Sequence, residues 1–122
     1  MELILYFLLC FNLDFHMNSK VNFKFVENLG QRIENGEILV THGVCDHKKN
    51  IILLNKAHWY SLDFYNRKEL VYHELGHCVL NMSHAGKEEI DIMRPIKYSA
   101  NPNGSNWNYL VDKMKQKYYN NK

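Results

Sequence analysis

Two histidines four residues apart, His73 and His77, stand in the run V-Y-H-E-L-G-H-C-V-L-N-M-S-H at residues 71–84, with Glu74 directly after the first and His84 closing the run. Residues spaced by four share one face of an α-helix, so the two imidazoles can bind one divalent ion together. Glu74 lies a third of a turn away, where its carboxylate reaches a water at that ion, as a general base must. Zinc in a hydrolytic site takes three protein ligands and leaves a place for water, whose pKa falls to about 7 on binding. His73, His77 and His84 supply that count. The chemistry expected is hydrolysis of a peptide bond, with Glu74 accepting the proton of the water and passing it to the leaving amine. A buried helix that carries two histidines by chance is the plain alternative, and the residues that follow weigh against it.

These groups need a helix and a turn to position them. Asn66 as N-cap with Glu69 three residues on predicts a capping-box start, and Val71, Leu75, Cys78, Val79 and Met82 fall on the side opposite the histidines. Gly76 inside the helix costs about 1 kcal/mol against alanine, which predicts close approach of another backbone. For His84 to point back, the chain must reverse after the helix. Asn81 is the residue there best able to take the left-handed conformation.

Upstream, Val21, Phe25, Val26, Leu29 and Ile33 recur at helical spacing, so residues 20–36 are expected to form an amphipathic helix broken at Gly30 or Gly36. Residues 38–44 turn extended, residues 46–50 are a polar turn, and Ile51, Ile52, Leu53 and Leu54 form a second strand, which together read as a β-hairpin. His42, His47 and His58 are expected to be solvated. Downstream, N-P-N-G at residues 101–104 is a turn signal. Ser105 then caps a last helix with Trp107, Leu110, Val111, Met114 and Tyr118 on one side. Lys113, Lys115 and Lys117 suit its C-terminal end and read as a solvated face.

The 122 residues allow one domain and one core, and a net charge of +2 spread along the chain gives no basic stripe for nucleic acid. A monomer is expected. The apolar run in residues 1–16 is too short to span a bilayer. It resembles a signal segment, or a start preceding the fold proper, which leaves residues 17–122 as the domain. Export to the cell envelope or beyond follows if it acts as a signal, and a cytoplasmic protein otherwise. Cys10, Cys45 and Cys78 cannot all pair within the chain. Free thiols are the expectation, with a Cys45 to Cys78 bridge open to an exported chain.

The helix motif, the trailing histidine and the later D-I-M-R-P at residues 91–95 together resemble the metzincin zinc metallopeptidases. The likeness is to their matrixin-like branch and to short HELGHC variants. It covers about a quarter of the chain and implies a small α+β domain: a twisted sheet over an active-site helix, a Met-turn beneath the metal, and a C-terminal helix. On it, His73, His77 and His84 are ligands to one zinc ion and Glu74 is the catalytic base. Met93 is the Met-turn methionine, Pro95 lies on the substrate-pocket wall, and Tyr98 is a wall residue or steadies the oxyanion. Residues 39–44 would be the edge strand along which a peptide or protein substrate pairs. The family pattern HExxHxxGxxH is broken here: Leu80 holds the glycine place, Ser83 the histidine place, and His84 comes one residue late. Two other functions use the same ligands, a zinc-dependent amidase acting on cell-wall peptides and a non-catalytic zinc-stabilised binding module.

Overall fold

The β-branched, apolar run at residues 51–55 forms the central strand of the computed structural model, which describes Phe7 and residues 21–34, 36–95 and 97–120. Among the described residues the element order is β1 (Asn22–Val26), β2 (Gln31–Glu34), β3 (Glu37–Val40), β4 (Gly43–Asp46), β5 (Ile51–Asn55), α1 (Lys56–Ser61), α2 (Phe64–Cys78) and α3 (Trp107–Asn120). This is a small α+β fold. The main sheet is mixed and runs β1-β5-β4, with β1 parallel and β4 antiparallel to β5. A separate two-stranded ladder joins β2 and β3.

The expected hairpin is β4 and β5. Its turn is held by Asp46, whose Oδ1 accepts from the backbone N–H of Lys48 at 3.0 Å, and by Asn50 at φ +53°. The helix expected over residues 20–36 is replaced by β1 and β2. Phe23 and Phe25 alternate with Lys24, and β1 gains a full backbone ladder with β5, from Asn22 opposite Ile51 to Val26 opposite Asn55. Between the strands Gly30 takes φ +87° while its N–H donates to Asn28 Oδ1 at 2.7 Å, which ends any helical run. Long-range pairing outweighed the local 3.6-residue spacing.

Helix α2 lies against β4 and β5 and buries Leu70, Val71, Tyr72 and Leu75. Trp107, Leu110 and Met114 of α3 and Ile52 and Leu54 of β5 complete the core. Trp107 meets Tyr72 edge-on at 5.1 Å between ring centroids. Of the leader read in residues 1–16, only Phe7 lies within the described residues; it is fully buried, edge-on to Tyr72. No described helix is long and apolar enough to cross a membrane.

Helix α2 starts earlier than expected. Asp63, not Asn66, is its N-cap, with Oδ1 accepting from Asn66 N–H at 2.9 Å. Glu69 is therefore free of capping. Its buried carboxylate accepts from Ser99 N–H and Ala100 N–H at 2.8 Å, while Asn66 Nδ2 donates to Ala100 O. Cys45 and Cys78 form a disulfide with Cα atoms 5.6 Å apart, against the expectation of free thiols. The antiparallel β4 places Cys45 over the last residue of α2, a proximity that sequence separation conceals.

Candidate metal centre

His73 and His77 project from α2, and the chain then reverses to bring His84 to them. The reversal uses Asn81 at φ +55°, as expected, and Met82 N–H donates to Gly76 O at 2.9 Å. Ala85 N–H in turn donates to Met93 O at 2.9 Å, which ties the segment after His84 to the 91–95 turn. The late arrival of His84 does not keep it away. One ring nitrogen from each histidine lies within 4.8 Å of the others, with His73 and His77 half-buried and His84 exposed.

The chemistry of the donors tests whether a metal fits. His73 Nδ1 lies 2.8 Å from Ile92 O, and His77 Nδ1 lies 2.8 Å from Met82 O. A carbonyl only accepts, so each Nδ1 donates, and a ring protonated there alone keeps a lone pair on Nε2. Those two Nε2 atoms face each other at 3.2 Å. Two opposed lone pairs repel, whereas a shared cation makes both contacts favourable, and about 3.3 Å separates neighbouring ligands in a tetrahedral zinc–nitrogen site. Backbone carbonyls behind the ligands are also the usual outer partners of zinc-bound histidine. The residues present fit a zinc ion, with His84 the exposed member of the three.

Glu74 Oε2 lies 3.9 Å from His73 Nε2. The carboxyl is buried, and burial pushes its pKa up to about 7. It fits there because Gly43 of β4 has no side chain: a Cβ on Gly43 would stand 3.1 Å from both Cγ and Oε2 of Glu74. Burial likewise lowers His73 to about 4, aided by His77 and His84, which keeps the ring neutral.

Met93 is buried beneath α2, against Gly76, so the close approach expected at that glycine comes from side chains and not from a backbone. Asp91 holds the turn: its Oδ1 accepts from Met93 N–H at 2.7 Å, and its Oδ2 pairs with Lys117 Nζ at 2.7 Å. Lys117 also reaches Glu89 at 2.6 Å, and Lys113 donates to Ile90 O at 2.7 Å. Those two lysines fasten α3 to the loop and are not a merely solvated face.

The three histidines and Glu74 line one cleft of about 600 Å³ with Pro95 and Tyr98. Its lining includes β4, one of the two edge strands of the main sheet. Residues 39–40 of the expected edge strand belong instead to β3, and Asn55 holds the connection to β4 against the end of β5 by donating to Thr41 O and His42 O. His58 was expected in a solvated loop; it lies on α1, stacked on His42, with Nε2 2.6 Å from Tyr98 Oη. Sequence reasoning missed Gly43 and this histidine pair, and gave Glu69 a capping role in place of its bonds to Ser99 and Ala100. The one available signal was Asn55 before a helix-forming stretch, which marks a cap that fixes where His58 falls.

No protein-family model matches the chain, and no curated protein and no solved structure matches it.

Proposed function

We propose that this chain is a zinc-dependent metallopeptidase of metzincin type that cleaves a peptide or protein substrate bound along β4. The observation that carries the proposal is the convergence of three histidines, two with backbone-fixed tautomers, beside a buried glutamate in an open cleft. Zinc held by His73, His77 and His84 would supply Lewis acidity, polarising a scissile carbonyl and acidifying a water. Glu74 takes the proton from the attacking water and delivers it to the leaving amine nitrogen. Burial keeps that carboxyl close to neutral-pH proton exchange. Tyr98 lines the same cleft and offers a hydroxyl to the developing oxyanion. Pro95 walls the cleft, and Met93 supports the helix from below.

An open cleft beside the ligands favours catalysis over a purely structural ion, since a structural site closes its fourth position with a further side chain. The test is metal removal. Stripping the protein with a chelator is expected to abolish cleavage of a denatured protein substrate, and stoichiometric zinc is expected to restore it. Cleavage that survives complete stripping contradicts the proposal.

A further inference from the structure

We infer that His58, backed by the stacked ring of His42, is a positioning residue that holds the Tyr98 hydroxyl as a donor to the substrate oxygen. The inference rests on the peptidase proposal and extends it to residues outside the motif.

Asn55, the last residue of β5, organises the cluster. Its Oδ1 accepts from His58 N–H at 3.1 Å, its N–H donates to His42 O at 2.9 Å, and its Nδ2 donates to Thr41 O at 3.3 Å. One buried side chain thus fixes both neighbouring backbones. The two imidazoles lie 3.4 Å apart between centroids and only 6° from parallel. At that spacing two positive charges would repel strongly, so the two rings are not charged together. Burial and then His42 lower His58 to about 4, in keeping with a neutral ring.

Tyr98 is held at both ends. Behind it, Glu69 accepts from the N–H groups of Ser99 and Ala100. In front, its hydroxyl lies 2.6 Å from His58 Nε2. A phenol oxygen accepts and donates at once. When His58 carries its proton on Nε2 it donates to the Tyr98 oxygen, and the phenolic hydrogen is left to donate into the cleft. The opposite tautomer would spend that hydrogen on His58. Catalysis by Tyr98 therefore requires the Nε2–H form. Burial also raises the Tyr98 pKa above the usual tyrosine range, so the hydroxyl keeps its hydrogen at neutral pH.

The experiment combines ¹⁵N NMR of labelled histidine with steady-state cleavage of a fluorogenic peptide by wild type, His58→Ala, His58→Gln, Tyr98→Phe and the His58→Ala/Tyr98→Phe double variant. In wild type, His58 is expected to be neutral with Nε2 protonated, and Tyr98→Phe to shift its signals. His58→Ala is expected to lower kcat roughly tenfold with KM and zinc content unchanged, a part of the 10²–10³ that loss of an oxyanion donor outright causes. His58→Gln, which retains an amide donor, is expected to recover most of that loss, and the double variant to match Tyr98→Phe alone. An Nδ1-protonated His58, full kcat in His58→Ala, or independent losses in the double variant each overturn the inference while leaving the peptidase proposal standing. A wild type that binds zinc but cleaves nothing overturns both.

Discussion

Met93 occupies the space that a β-carbon on Gly76 would need: an ideal Cβ there falls 2.6 Å from Met93 Sδ and 2.9 Å from Met114 Cε. The glycine one residue before His77 is therefore where the 91–95 turn and α3 both press on the helix that carries the ligands. Both atoms belong to the ends of flexible but buried methionine side chains, so Gly76→Ala is expected to destabilise the fold by about 1 kcal/mol net, overpacking set against the roughly 1 kcal/mol by which alanine is favoured over glycine in a helix interior. Urea unfolding measures it. A variant at least as stable as wild type contradicts the packing described.

Gly43→Ala addresses the base directly. Its methyl would stand 3.1 Å from the Glu74 carboxylate, so the carboxylate must shift. The displacement needed is a few tenths of an ångström, so the loss is expected to be a fraction of the roughly 10²-fold that a misplacement of about 1 Å can cost. Cleavage is expected to fall with zinc content unchanged, and full activity in the variant would show that Glu74 tolerates displacement.

The Cys45–Cys78 disulfide fastens β4 to the residue next to His77 and spans 33 residues of sequence. The loop-entropy model assigns such a crosslink about 3–4 kcal/mol. Paired Cys45→Ala and Cys78→Ala substitutions are expected to lower the unfolding free energy by an amount of that order. Intact stability in the double variant, measured under oxidising conditions, is the contrary result.

Glu69 gives the pH dependence its sign. Burial raises its folded pKa from the ordinary 4.5 to about 7, against the bonds from Ser99 and Ala100 and the charge of Arg94, which favour ionisation. The folded chain thus binds this proton more tightly than the unfolded chain. The stability Glu69 contributes is complete below about 4.5 and is lost as pH rises through about 7. Glu69→Gln removes the proton, so the variant is expected to gain on wild type in urea unfolding as pH rises across that window. A difference that is flat or of opposite sign contradicts the assignment.

The ligand helix was legible because HExxH reports a local period, and the left-handed Asn81 was legible because few residues take that conformation. Spacing alone could not show that Ser99 and Ala100 dock on Glu69, that Lys117 reaches Asp91, or that Cys45 lies over Cys78. Those contacts join residues brought together only by tertiary packing. The stretch at residues 20–36 failed for the same reason: Phe25 and Val26 satisfy a helical count, yet the ladder with β5 decided their conformation. His58 looked like a loop histidine until Asn55 set the start of α1 and turned its ring onto His42.

The central claim is that Glu74 is the base beside a zinc held by three histidines. Zinc content and cleavage of a denatured protein, measured together for wild type and Glu74→Gln, test it most directly. Equal, stoichiometric zinc in both proteins with cleavage reduced roughly 10²–10⁴-fold in the variant is the predicted result. A variant that cleaves as fast as wild type, or a wild type that holds no stoichiometric zinc, contradicts it.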